Sequence, residues 1–186
     1  MSTEASQTPQ ALKLQSKIGW ICQSLRWMLI AWLAWILAIL VMSLFDVAAT
    51  VEKINAVPEF KDNPVTSDAF LASHAVNFLS WACATTVGFA GWKLMSGYLS
   101  GDIFSETAAT RMKRFGQAAL FATLAGILLR PVSIWLLSSH YFQTLKLWNF
   151  LAPQDLLYLL ISVFILSLAR IFQAAAEINA ENKEFV

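Results

Sequence analysis

Arg130 lies within a stretch that is otherwise apolar from residue 115 to residue 137. If the stretch is a helix, Arg130 is about 22 Å from its inner end, in the outer third of a bilayer. A guanidinium at that depth needs a partner, and it commonly marks a functional site. Asp46, Asp68 and Asp155 are candidate partners. We predict an intramembrane polar site comprising Arg130, Asp46, Asp155 and His74. Either the site binds a ligand, or Arg130 has a structural role, as a clamp between helices or as a side chain that snorkels to the outer headgroups.

The sequence offers little else that could perform catalysis. His74 and His140 both fall near the outer face, but His140 sits in a polar exit segment, so a bis-histidine haem site has weak support. Cys22 and Cys83 are far apart and form no CxxC pair. The chain contains no GxSxG, no HExxH and no glycine-rich phosphate loop. We therefore expect no enzymatic activity, no metal and no cofactor.

The segment from residue 93 to residue 114 is the most distinctive polar segment of the chain. Gly101-Asp102 is typical of a turn, and Ser105 is a good helix N-cap with Glu106 following it. The basic residues beyond it either anchor the chain to anionic lipid or form part of a docking surface for a cytosolic partner. The candidate partner surface comprises Gly101, Asp102, Phe104, Ser105, Arg111, Arg114, Glu177 and Glu181.

Composition then identifies the environment of these residues. Hydrophobic residues make up 58% of the chain and charged residues only 13%, too few charges to cover the surface of a soluble protein. This excludes a cytosolic enzyme, a disordered tail and a disulfide-stapled secreted module. The formal net charge is +1, and the inner basic residues lie at the headgroups, so we expect no direct contact with nucleic acid. The lipid bilayer is the first predicted partner.

The apolar stretches predict an all-α integral membrane bundle of four transmembrane helices, because each is long enough to cross the hydrocarbon core. The first is read as an anchor rather than a cleaved signal peptide. Residues 1–10 are predicted to be disordered and cytoplasmic, and 11–186 to form one domain. The predicted spans are about 27–45, 70–92, 115–137 and 156–176, with outer loops 46–69 and 138–155 and inner loop 93–114.

The distribution of lysine and arginine predicts the orientation. Basic residues concentrate before the first span, between the second and third, and after the fourth, whereas the opposite side carries only Lys53, Lys61 and Lys146. Cytoplasmic loops carry such an excess, so both termini are expected in the cytoplasm and the protein in the inner membrane.

Small residues recur every four positions on two of the spans. Ser80, Ala84 and Gly88 do so on the second span, and Ala118, Ala122 and Gly126 on the third. Such stripes allow helices to approach closely. We favour packing within one chain; a homo-oligomer face is the alternative.

Several of these motifs resemble a known family. The chain resembles the bacterial membrane family called domain of unknown function 2975. The similar motifs are residues 101–105, 111–116 and Arg130-Pro131, and a C-terminal pattern in which residues 168–172 lead to residues 181–186. The similarity runs from about residue 70 to the C-terminus, and the first span agrees only in being hydrophobic. The terminal Phe185-Val186 departs from the commoner Thr-Val ending.

The resemblance implies a small four-span protein without established activity or assigned catalytic residues. Many members are encoded beside a small helix-turn-helix regulator, which implies a membrane-linked regulatory role. Three hypotheses follow. The first is a non-enzymatic regulator or sensor that acts through a cytosolic, helix-turn-helix partner. The second is a small-molecule or lipid carrier, or a transporter subunit, built around Arg130. The third and most remote is a haem or quinone redox protein.

Overall fold

The computed structural model describes residues 9–101, 105–145 and 150–184, and within these ranges the chain is helical without any strand. This confirms the predicted all-α class. Most of the predicted disordered segment 1–10 lies outside the described residues. A short 3-10 turn, Pro58–Phe60, precedes the third helix. The six helices are α1 Pro9–Phe45, α2 Val47–Asn55, α3 Ser67–Leu99, α4 Glu106–Leu137, α5 Ser139–Thr144 and α6 Pro153–Glu184.

The four long helices pack in chain order, α1 on α3, α3 on α4, and α4 on α6. Consecutive members are antiparallel: α3 meets α4 through Gly97 and Arg111 at one end and through Ser73 and Ser133 towards the other. Among the described residues, α1 and α6 form no extensively packed pair. Trp32 of α1 nevertheless lines the same groove, of about 420 Å³, as residues of α6. The predicted four-helix bundle is therefore a curved row of helices, with a groove between the first long helix, α1, and the last, α6.

Three segments of the described chain are long and apolar enough to cross a membrane: Gly19–Phe45, Glu106–Leu137 and Pro153–Ala175. Large apolar side chains on these segments are exposed, including Trp35 (69%) and Leu160 (68%). Exposed apolar surface on this scale is typical of a protein surrounded by lipid. Length, composition and exposure together indicate a membrane protein. Helix α3 is not among the three segments, because polar residues interrupt its apolar sequence.

The segment predicted as the first outer loop contains a helix of its own. Asp46 caps α2, since its carboxylate accepts a hydrogen bond from the Ala49 amide at 2.9 Å. The Asn55 side chain then closes the following loop: it accepts from the Val65 amide at 2.7 Å and donates to the Val65 carbonyl at 3.1 Å. The second predicted outer loop similarly contains α5. Local capping and turn contacts therefore order the described parts of the α1–α3 and α4–α6 connections.

The connection between α3 and α4 begins and ends as its sequence predicts. Gly101 has a φ of +85°, a conformation that favours glycine. Ser105 caps α4, with its hydroxyl accepting from the Ala108 amide at 3.0 Å. Both helices reach further than the predicted spans 70–92 and 115–137, since α3 continues to Leu99 and α4 begins at Glu106. Most of the described residues in the predicted inner loop, 93–114, therefore belong to α3 or α4.

The two stripes of small residues behave differently. Gly88 is buried, and a Cβ at that position would collide with the Leu33 side chain of α1. Gly126 has no heavy atom within 4 Å of the position a Cβ would take. Close packing through glycine therefore occurs at Gly88, against the first long helix, and does not occur at Gly126.

Candidate functional site

Arg130 forms an ion pair with Asp155, which joins α4 to the start of α6. The pair is bidentate, with Nη1 2.7 Å from Oδ2 and Nη2 3.0 Å from Oδ1. Nη1 also donates to the Phe150 carbonyl at 2.8 Å, and Asp155 Oδ2 accepts from the Ala152 amide at 2.8 Å. The Asp155 side chain is 7% exposed and that of Arg130 37%. One arginine thus fastens the chain segment that leads into α6.

The other members of the predicted intramembrane site do not join this pair. Asp46 caps α2, as described above, and Asp68 lies exposed in the first turn of α3. His74 is buried between Phe70 and Phe78, with ring centroids 5.3 and 5.2 Å away. The structure therefore brings Arg130 together with Asp155 alone of the proposed partners.

His74 and Trp81 connect α3 to the backbone of α1. His74 Nε2 lies 2.9 Å from the Leu40 carbonyl oxygen and 3.3 Å from Ser43 Oγ. Trp81 Nε1 donates to the Leu33 carbonyl at 3.1 Å. His74 and Trp81 are seven positions apart on α3, and the carbonyls of Leu40 and Leu33 are seven positions apart on α1. The same contact therefore repeats after two helical turns. His74 Nε2 and Trp81 Nε1 are thereby satisfied against a neighbouring helix instead of facing lipid.

A second polar seam connects α3 to α4. The hydroxyls of Ser73 and Ser133 are 2.8 Å apart and buried, and Ser133 Oγ donates to Asn77 Oδ1 at 3.1 Å. In lipid such interhelical bonds stabilise association by about 1 kcal/mol each. The half of the protein that contains Arg130 therefore uses its described polar residues chiefly to hold helices together, which favours the structural-clamp interpretation of Arg130.

His140 lies exposed on α5. Among the described residues, no three His, Cys, Asp or Glu side chains converge to hold a metal ion. Cys22 and Cys83 are both free thiols.

At the opposite end of α3 and α4, basic and hydroxyl side chains surround an open cavity of about 630 Å³. We call it the inner pocket. Phe89, Lys93 and Ser96 repeat at intervals of four and three, so they share one face of α3, and its C-cap Ser100 continues the spacing. The full lining is Phe89, Ala90, Lys93, Ser96, Gly97, Ser100, Arg111 and Arg114.

The sequence had indicated only part of this pocket. It singled out Arg111 and Arg114, but treated residues 93–100 as loop. Because α3 continues to Leu99, Lys93 and Ser96 lie on the same helical face as Phe89. The helical spacing of Phe89, Lys93 and Ser96 indicates that the helix continues beyond Trp92, where the predicted span ends.

Arg26 belongs to a different contact at the same end of the protein. Its guanidinium carbon lies 3.6 Å from the centroid of the Trp92 ring, and Trp27 meets that ring edge-on at 6.4 Å. Such a cation–π contact holds α1 against α3. The Arg26 Nε is buried without a hydrogen-bond partner.

The remaining residues of the candidate partner surface are placed as follows. Gly101 and Ser105 flank the α3–α4 connection, and Glu177 is exposed on α6, where it accepts from Gln173 Nε2 at 3.2 Å. Asp102 and Phe104 lie outside the described residues. Glu181 is part of helix α6, but its side chain is likewise outside the described set.

The fold defines the class of protein: an α-helical membrane protein whose antiparallel helices are joined by hydrogen bonds and by the ion pair between Arg130 and Asp155. Residues 55–186 match the family described as Protein of unknown function (DUF2975), and the chain belongs to that family. The match confirms the resemblance and begins earlier than residue 70, at the end of α2, leaving α1 outside it. No curated protein and no solved structure matched the chain.

Proposed function

We propose that this chain is a four-span protein of the bacterial inner membrane, with both termini in the cytoplasm. It acts without catalysis, as a membrane-linked regulator or sensor whose cytosolic partner, a helix-turn-helix protein, binds the inner ends of the long helices. The observation that carries the proposal is the extension of α3 and α4 beyond their apolar stretches, ending in a capped turn.

Helix α3 is the proposed fourth span. Helix α3 contacts α1 along its length, since Leu99 lies near Gly19 of α1 and His74 lies beside Leu40 of α1. It contacts α4 over a similar length, from Arg111 to Ser133 of that helix. Since α1 and α4 each contain a segment able to cross the membrane, α3 occupies the same depth. Four of its polar side chains bond to these neighbours, which explains how a less apolar helix is accommodated there.

Charge supports the proposed orientation and the location of the partner surface. Lys93, Arg111, Lys113 and Arg114 cluster where α3 ends and α4 begins, while residues 46–68, from the end of α1 to the first turn of α3, have two lysines and five carboxylates. Anchoring to headgroups accounts for positive charge, but it does not require a glycine turn and a serine cap. Those features supply a defined surface for a protein partner.

The ion pair argues against Arg130 as the core of a carrier. The two terminal nitrogens of the guanidinium, Nη1 and Nη2, already bond to Asp155, and Nη1 bonds to the Phe150 carbonyl as well. A ligand would have to displace a bidentate carboxylate, which is among the strongest partners available to arginine. The regulator therefore stands ahead of the carrier.

Co-purification from the native host tests the regulator. The tagged full chain is extracted gently and compared with the inner variant D102A/F104A/R111A and with the outer control E59A/K61A/D62A, which alters three exposed residues. We expect a stoichiometric cytosolic protein with the wild type and the outer control, and its loss from the inner variant. Equal yield and thermal midpoint for all three chains verify folding. Binding that survives in the inner variant, or a chain that emerges alone, would contradict the proposal.

A further inference from the structure

Three basic side chains line the inner pocket, and two of them have no carboxylate partner among the described residues. Lys93, Arg111 and Arg114 line it, and among the described residues no carboxylate pairs with Lys93 or Arg114. Lys93 Nζ instead lies 4.4 Å from the centroid of the Phe89 ring. Like charges gathered around one cavity repel one another, so an anion placed among them would be stabilised.

Gly97 shapes this pocket from the α3 side. It is buried, and a Cβ at its position would collide with the Arg111 guanidinium. The missing side chain therefore lets the Arg111 guanidinium of α4 lie directly against α3, beside the other residues that line the pocket. Planar guanidinium groups are well suited to phosphate oxygens, to which they donate paired hydrogen bonds.

The polarity of the pocket changes along α3. Phe89 and Ala90 lie towards the apolar stretch of the helix, and Lys93, Ser96 and Ser100 follow towards its end. A ligand that fills the pocket therefore needs an apolar part and an anionic part in that order. An anionic phospholipid has this arrangement, with the phosphoryl group at the level of the basic residues and the acyl chains beside Phe89.

We propose that the inner pocket is a binding site for the phosphoryl headgroup of an anionic phospholipid, held by Lys93, Arg111 and Arg114. This goes beyond the proposed function, and its test does not need the proposed protein partner, because the purified chain alone contains every residue of the site. It also differs from general anchoring to headgroups, in which every basic residue near the interface would contribute alike.

Lipid titration of the purified full chain in detergent, followed by native mass spectrometry, tests the site. The probes are phosphatidylglycerol, zwitterionic phosphatidylcholine and sn-glycerol 3-phosphate, which has the phosphoryl group without acyl chains. K93Q/R114Q alters two exposed pocket residues, and K113Q/R170Q removes the same charge from exposed residues outside the pocket. All four side chains are exposed, so both variants should fold, which equal thermal midpoints verify.

We expect one saturable phosphatidylglycerol site in the wild type and in K113Q/R170Q, and affinity about thirtyfold lower in K93Q/R114Q. Phosphatidylcholine and glycerol 3-phosphate should bind far more weakly. Equal weakening in both variants would reduce the site to non-specific anchoring and overturn the proposal. Unchanged binding in K93Q/R114Q, or glycerol 3-phosphate binding as tightly as the lipid, would overturn it too.

Discussion

Replacing Asp155 with alanine is expected to lower the free energy of unfolding by about 3 kcal/mol. The substitution removes the bidentate partner of Arg130 and leaves its guanidinium with the Phe150 carbonyl as its remaining described partner. A charge left uncompensated in a partly buried position within the membrane is the source of the cost. The lower end of the usual range applies because the Arg130 side chain is 37% exposed. Unfolding in mixed micelles, followed by far-ultraviolet circular dichroism, measures the loss.

A double variant distinguishes the cost of an unpaired charge from the loss of the ion pair itself. R130M/D155L leaves no unpaired charge, so it should recover most of the stability that D155A loses. D46A is the matched control: it removes an outer carboxylate that caps α2 and pairs with no described cation, and it should cost about 1 kcal/mol. The structural-clamp interpretation fails if D155A is as stable as the wild type, or if R130M/D155L is as unstable as D155A.

Enlarging Gly116 is expected to have an effect of similar size. Gly116 is buried where α4 meets α6, and a Cβ there would lie 2.9 Å from Leu166 Cδ2 and 3.2 Å from Ile165 Cγ2. G116L therefore forces the two helices apart, and we expect it to lower the free energy of unfolding by about 3 kcal/mol. The same unfolding assay measures it.

Gly126 provides the control on the same helix. Its Cβ position has no heavy atom within 4 Å, so G126L should gain helix propensity without a clash and leave stability unchanged or slightly higher. Equal destabilisation by G116L and G126L would mean that α4 and α6 are not packed as described. A difference of the expected sign would establish that glycine is required at only one of the two positions.

Local features of this fold were predictable from sequence, and their success has a physical basis. The turn at Gly101 and the cap at Ser105 depend on backbone conformation and on groups within four residues. The sequence that encodes them is contiguous, so no tertiary information is needed. The same kind of signal exists at Asp46, but the apolar span before it and the polar loop after it concealed the helix α2.

Features that depend on register between helices could not be read in this way. Asp46, Asp68 and Asp155 all lie near helix ends, and only the packed arrangement selects Asp155 as the partner of Arg130. Spacing likewise places Gly88 and Gly126 on stripes, but it does not reveal which neighbour faces them. His74 similarly finds its partner in a backbone carbonyl, that of Leu40, which carries no side-chain signal at all.

The position of the α3–α4 connection in the cytoplasm is the central claim, because the partner surface and the lipid pocket both depend on it. Single cysteines in a C22A/C83A background test it directly: K61C on the outer segment and K113C on α4, both at exposed positions. A membrane-impermeant maleimide is applied to spheroplasts before and after permeabilisation. If α3 crosses the membrane as proposed, K61C is labelled in intact spheroplasts and K113C only after permeabilisation. Labelling of both positions from the same side would contradict the account.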